Sequence, residues 1–338
     1  MKITFSSASG GVLDSKILNG TEDLAELCKQ DGYWIDCEEY DNETLKTLGQ
    51  IFPMNPLTVE DLENARDRIK IDEFQNYIYA VSKGVSAKDD GNFEFKREEI
   101  YMILTEKNIV TFHKEKTDII EHCIDAMRNR IKYDEKKTPL NSLVLQSIYD
   151  FSVDSFYSVL SNIETWISSV STQATDLDSI KSSDVKGVRN LMFLISKARR
   201  EMGDLRLMLS QHRDVMALAE RGTIKYVSVD MMPAFRDVYD HTFQLIETLD
   251  SYIMRTSDVR DLYFTMRAAF TDNILRLLTI VATIFLPLTF LTGFYGMNFT
   301  QGFYEPGSST IYGFYAMVTV MIVIAVSLLL VFRRKGWM

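Results

Sequence analysis

Six carboxylates recur at steps of three and four residues along one stretch of this 338-residue chain: Asp237, Asp240, Glu247, Asp258, Asp261 and Asp272. The same steps pick out Gln244, Ser251, Met254, Thr265, Ala268, Leu275, Thr279, Ala282, Leu286, Thr289 and Gly293. Together they form one helix face with a period of about 3.5 residues, the spacing of a left-handed supercoil. Between Arg236 and Asp272 this face takes six of the seven acidic residues, omitting only Asp250, and none of the four arginines. A seam of carboxylates is ruinous in a dry coiled coil but suits helices grouped around cation-attracting water. The solvated side of an amphipathic helix would show the same segregation. Beyond Asp272 the face turns to small or flexible side chains that can line a narrow path, and it ends at Gly293-Phe294-Tyr295-Gly296-Met297-Asn298-Phe299, where an apolar run stops. That placement makes the segment a candidate pore mouth.

The elements that must carry these residues are legible. Residues 277–294 hold no charge over 18 positions, and at 1.5 Å per residue they reach about 27 Å, enough to cross a bilayer. Residues 311–332 give 22 uncharged positions. The loop between them carries one charge, Glu305, whereas Arg267 and Arg276 precede the first run and Arg333, Arg334 and Lys335 follow the second. The positive-inside rule then places both chain ends in the cytoplasm. Upstream, β-like runs at residues 2–7, 33–37, 77–86, 99–104 and 108–113 mix with helices, and residues 89–92 read as a turn. After Pro139, long helical patterns cover about 140–174 and 184–220, joined by a polar link and closed by Arg221-Gly222. A third helix starts near Pro233, a residue suited to a first helical turn, and runs without Pro or Gly to Pro287, which is expected to bend or loosen it.

Composition narrows the function. The chain has 47 Asp plus Glu against 37 Lys plus Arg, a net charge of -10, which disfavours nucleic acid and favours cations as partners. Residues 1–7 lack an apolar h-region, so a cleaved signal is not expected. Cys28, Cys37 and Cys123 are widely spaced and read as reduced core thiols. His113, His122, His212 and His241 show no zinc-type spacing. No phosphate-binding loop is present, and no nucleophile, base and orienter can be assembled, so an enzyme is not expected.

The run Tyr295-Gly296-Met297-Asn298 directly after a first apolar helix, with one further such helix at the end of the chain, resembles the CorA family of magnesium channels. Residues 279–299, the segment Phe235-Arg236-Asp237-Val238-Tyr239-Asp240-His241 and, more weakly, residues 55–61 carry the resemblance. It implies a homopentameric, funnel-shaped channel: an α/β cytoplasmic domain at 1–135, antiparallel stalk helices at 136–232, and a long stalk helix at 233–294 that continues as the pore-lining span. An extracytoplasmic loop at 295–310, a second span at 311–332 and a basic cytoplasmic tail at 333–338 complete it. The lipid bilayer is expected to be a bacterial inner (plasma) membrane.

The resemblance also implies roles. Gly296, Met297 and Asn298 would form the selectivity filter. Asp272, Leu275, Leu278, Thr279, Ala282, Leu286, Thr289 and Gly293 would line or gate the path, with Asp272 standing where the family usually has a neutral amide. Asp237 and Asp240, facing Asp89 or Asp90 of a neighbouring subunit, would bind regulatory Mg2+. The expected function is Mg2+ influx, with cobalt and nickel also passing, driven by membrane potential and gated by intracellular Mg2+. The loop Thr300-Gln301-Gly302-Phe303-Tyr304-Glu305-Pro306-Gly307 departs from the acidic element of many CorA proteins, which keeps a zinc transporter of the ZntB type as an alternative. A membrane-anchored ion sensor that transports nothing is the other.

Overall fold

Apolar residues point to both sides of the interior N-terminal strands, and both faces of one sheet are covered. The computed structural model describes residues 2–9, 12–18, 24–28, 31–52, 54–64, 67–88, 93–133, 138–175, 185–296 and 311–337. Strands β1 (Lys2–Ser9), β2 (Val12–Leu18), β3 (Tyr33–Glu38), β4 (Lys70–Glu73), β5 (Ile78–Ala87), β6 (Phe95–Leu104) and β7 (Ile109–His113) form a sheet ordered β2-β1-β3-β7-β6-β5-β4. Only the β3–β7 pairing is parallel. Helices α1 (Leu24–Leu27), α2 (Asn42–Ile51), α3 (Pro56–Asn64), α4 (Asp118–Tyr133), α5 (Leu140–Thr175), α6 (Val185–Glu220), α7 (Met232–Tyr295) and α8 (Ile311–Arg334) complete the chain.

Successive strand residues point to opposite faces, and the two cores follow that rule. Tyr33, Ile35, Tyr79, Val81, Tyr101, Ile103, Val110 and Phe112 pack with Leu45, Leu48 and Leu62 of α2 and α3. Trp34, Ile78, Ala80, Ile100, Met102 and Ile109 pack with Cys123 of α4, Phe156 of α5, Met202 and Leu209 of α6 and Phe235 of α7. Cys37 and Cys123 are buried, and desolvation raises both thiols well above their usual range.

The long helices grip β5 through polar atoms. Ser82 Oγ donates to Ser152 Oγ, the Val85 amide donates to Ser155 Oγ and Tyr149 donates to the Val81 carbonyl. His212 Nε2 reaches the Lys83 carbonyl at 2.9 Å, and burial pushes this imidazole down to about 4, so it is neutral. Gly84 sits inside this contact. A Cβ there would collide with Ile119 Cδ1 and lie 3.1 Å from Ser155 Oγ.

A second buried histidine is shifted the other way, toward its charged form. His113 is 3% exposed; its Nδ1 meets the Glu115 carbonyl at 2.8 Å and its Nε2 meets Asp36 Oδ2 at 3.2 Å. Both partners only accept while Asp36 is ionised, so both ring nitrogens carry protons. Burial alone would lower this pKa, but the hydrogen bond and charge of Asp36, helped by the Glu115 carbonyl, outweigh it and the net shift is upward. Thr111 Oγ1 donates to Asp36 Oδ1 and accepts from Trp34 Nε1, which ties β3 to β7 through side chains.

The chain divides into two units, Met1–Thr172 with Asp184–Arg260, and Gln173–Ser183 with Asp261–Met338. The second unit contains the membrane-length apolar part of α7 and the whole of α8, almost none of it buried within the chain. Pro287 lies inside α7, which continues as one helix through it.

Two outcomes follow from this packing. Gly84→Val forces the sheet away from α4 and α5 and is expected to destabilise the protein by about 1–3 kcal/mol, with Gly84→Ala milder; thermal melts of the detergent-solubilised protein measure both. A raised folded-state pKa makes the His113 contribution complete below the unfolded value near 6.5 and lost as pH rises through the folded value. The melting temperature should therefore fall from pH 6 toward alkaline pH by a component that His113→Gln removes.

Candidate functional site

Helix α7 is two-sided. Phe235, Val238, Thr242, Leu245, Leu249, Tyr252, Thr256, Val259 and Tyr263 are buried along one side. All seventeen stripe residues from Asp237 to Gly293, Asp240, Asp272, Leu275, Thr279, Ala282, Leu286 and Thr289 among them, are exposed. The off-stripe charges hold the helix in its rotation. Arg206 of α6 grips Asp250, the acid outside the stripe, through Nε and Nη2 at 2.5 and 3.1 Å. Arg236 reaches Glu220 of α6 at 3.6 Å, and Arg255 reaches Glu164 of α5 at 3.8 Å. Excluding arginine from the stripe thus frees it to tie α7 to its neighbours.

The stripe's chemistry changes along its length. Asp237 and Asp240 are exposed oxygen donors of the kind a hard cation takes, and Asp237 Oδ1 lies 3.9 Å from His241 Nε2. Asp272 makes a 3.3 Å contact with Arg276 one turn later, whose guanidinium lies 6.0 Å from the centre of the Trp337 ring. Next come Leu275 and Leu286 of the stripe, 55% and 74% exposed, with Leu278 beside it at 63%. Such exposure in one chain needs lipid or another copy to cover it. The stripe threonines are capped by their own helix: Thr265, Thr279 and Thr289 donate to the carbonyls of Asp261, Leu275 and Phe285. A groove between α7 and α8 is lined by Ala282, Thr283, Leu286, Pro287, Val323 and Ser327, among others.

At the end of α7 the Gly296 amide bonds the Thr292 carbonyl at 3.0 Å, and a Cβ on Gly296 would lie 3.1 Å from that same oxygen. Met297, Asn298, Asp89 and Asp90 lie outside the described residues.

One cluster escapes sequence reasoning. A carboxylate oxygen each from Asp150 and Asp154 on α5 and a ring nitrogen of His241 on α7 lie within 4.8 Å of one another. Desolvation raises both acids, and the charge of Asp154 adds to the rise at Asp150 while His241 opposes it at both. The two aspartates are one helical turn apart and so readable as a pair, but nothing in sequence links them to a histidine 87 positions on.

Comparison with known proteins gives the same architecture. The sequence profile of the CorA-like Mg2+ transporter family matches residues 29–334. The chain is 31% identical over 299 residues to the cobalt/magnesium transport protein CorA of Thermotoga maritima, covering 88% of this chain and 80% of that protein. The structure of the CorA magnesium transporter of Methanocaldococcus jannaschii has the same fold, with a TM-score of 0.81, 21% identity, and coverage of 99% of this chain and 98% of that one. The zinc transport protein ZntB of Yersinia pseudotuberculosis is 24% identical over 140 residues, 41% of this chain and 42% of that protein. With an α/β domain, long helices, two apolar C-terminal helices of membrane-spanning length and a family match over most of its length, this chain belongs to the CorA family of divalent cation transporters.

Proposed function

We propose that five copies of this chain assemble into a funnel-shaped channel that admits Mg2+, and also cobalt and nickel, down the membrane potential. The observation that carries this reading is the unbroken exposed face of α7, carboxylate-rich from Asp237 to Asp272 and small or apolar from Leu275 to Gly293. Turned inward by a ring of copies, its first part concentrates cations and its second part narrows the path. In this reading residues 1–135 form the cytoplasmic domain, 136–232 the antiparallel stalk and 233–294 the stalk and pore helix. Residues 295–310 form the outer loop, 311–332 the second span and 333–338 a cytoplasmic tail, with both termini inside.

Selection at the mouth falls to Gly296, Met297 and Asn298. Mg2+ holds six oxygens at about 2.1 Å and sheds water reluctantly, so an efficient entrance recognises the hydrated ion. A ring of Asn298 amide oxygens accepts hydrogen bonds from its waters without the trapping that fixed charges bring. Leu275, Leu278 and Leu286 gate by excluding water, and Asp272 sets the charge at the cytoplasmic mouth. The potential suffices as a driving force: a divalent ion gains about 4.6 kcal/mol per 100 mV, from about 2.3 per charge.

Gating follows from the same electrostatics. Intracellular Mg2+ bound by Asp237 and Asp240, facing Asp89 or Asp90 of the next subunit, neutralises opposed carboxylates and holds the ring closed. Its loss lets them repel.

Zinc transport is the second reading, favoured by the partial match to ZntB. Against it, the stripe offers oxygen donors and no cysteine or histidine from Asp237 to Gly293, a set that suits a hard cation better than zinc.

Flux into proteoliposomes separates the readings. With a Mg2+-sensitive dye inside, influx should follow an imposed potential, need no proton gradient and fall at least tenfold in Asn298→Ala. Proton-coupled zinc uptake without Mg2+ entry would replace the reading with the second one. No flux of either ion would leave a membrane-anchored sensor. Asp237→Ala should blunt inhibition of the current by internal Mg2+; unchanged inhibition removes Asp237 from gating.

A further inference from the structure

Helix α8 ends in a cap that turns the chain back on itself. The Trp337 amide donates to the Phe332 carbonyl at 3.0 Å and the Gly336 amide to the Arg333 carbonyl at 3.2 Å, with Gly336 at a φ of +70°. These are the two bonds of a Schellman motif, whose left-handed residue is glycine because a Cβ strains that conformation. The apolar contact that accompanies such a cap is present as well. The Trp337 ring stacks on that of Phe332, which is buried, with centroids 5.7 Å apart and planes at 20°. Backbone and packing thus fix where Trp337 stands.

The same indole meets α7. The Arg276 guanidinium lies 6.0 Å from the centre of the ring, within the range at which a cation is attracted to an indole face. Its Nη2 donates to Asp272 Oδ2 at 3.3 Å, with the acid one turn before the base, the favoured order for a helical pair. All three residues belong to one folded unit. Asp272 stands on the exposed stripe with its side chain 69% exposed, and Arg276 stands beside the stripe at 39%. A solvent-exposed pair of this kind is weak because its long side chain is free to swing away. An aromatic ring held against the guanidinium restricts that swing, so the cap of α8 braces a contact on α7.

We propose that Trp337 is a positioning residue for the cytoplasmic mouth: it keeps Arg276 against Asp272 and so limits the negative charge that a departing divalent ion meets. The proposal rests on the channel reading above, which gathers the Asp272 side chains of the copies around one axis. A conducting site must bind an ion firmly enough to admit it and loosely enough to release it. A ring of uncompensated carboxylates errs toward retention, because converging like charges deepen the well for a cation. One guanidinium per carboxylate offsets that charge while leaving carboxylate oxygens exposed on the stripe. Loss of the brace therefore slows release more than it slows entry.

The test is the kinetics of Mg2+ influx into proteoliposomes at a fixed potential over a range of external Mg2+. In Arg276→Gln and in Trp337→Ala the maximal rate and the half-saturating concentration should fall together, by about threefold or more, with the Arg276 change the larger. Structural damage alone would lower the maximal rate without tightening saturation. In an Asp272→Asn background neither substitution should have this effect, since the charge that Arg276 offsets is gone. Melting temperatures in detergent report whether each variant is folded; if one is not, the other decides. Wild-type kinetics in a folded variant, a fall in rate alone, or the same joint fall in the Asp272→Asn background would each overturn the proposal and leave the channel reading standing. A wild type that passes no Mg2+ would overturn the channel reading and this proposal with it.

Discussion

Rotation of α7 about its own axis is the constraint on which the remaining structure depends. A one-residue slip turns a helix by about 100°, which would drive Asp237 and Asp240 toward the core now filled by Phe235, Val238 and Leu245 and bring those apolar groups into water. Packing alone resists this, but the ion pairs of Arg206 with Asp250, Arg236 with Glu220 and Arg255 with Glu164 add direction. Exposed pairs of this kind are individually weak. Their value here is positional: each fixes which side of α7 remains bare.

The N-terminal domain solves a related problem by different means. Its sheet has cores on both faces, so β5 carries apolar residues in both directions while its carbonyls and amides meet side chains of α5 and α6. Two histidines in this region are shifted in opposite directions. His212, among Tyr149 and Phe156, is pushed toward its neutral form by desolvation, whereas His113 is drawn toward its charged form by Asp36. The difference is one carboxylate within reach, an instance of pairing overriding burial.

Much of this was legible in the sequence, for physical reasons that also explain the gaps. The interior strands β3, β5, β6 and β7 stand out because burial on both faces demands β-branched and aromatic runs. The edge strands do not. β2 buries only Leu13 and Leu18, one toward each core, and includes the exposed Asp14 and Lys16, and β4 is four residues held by Lys70 and its contacts with Asp61, Asp67 and Asp72. Edge strands carry such charge because it discourages further pairing, and that erases the signal. The long helices were readable from periodicity, and Gly222, at a φ of +66°, ends α6 where the pattern stops. The acidic face was visible as a spacing because it lies on one helix. The Asp150, Asp154 and His241 cluster was not, because it depends on how α5 and α7 meet.

The threonines of the exposed face carry one more consequence. A hydroxyl has one proton to give and two lone pairs to receive with, and Thr265, Thr279 and Thr289 have each committed that proton to a carbonyl four residues back. What remains outward is acceptor only. Water meeting one of these three hydroxyls can be held there solely by its hydrogens, leaving its oxygen turned away and available to a positive ion. An anion meets no hydroxyl donor at these three positions. Discrimination by sign of charge can thus be written into uncharged side chains, through hydrogen bonds the helix makes with itself.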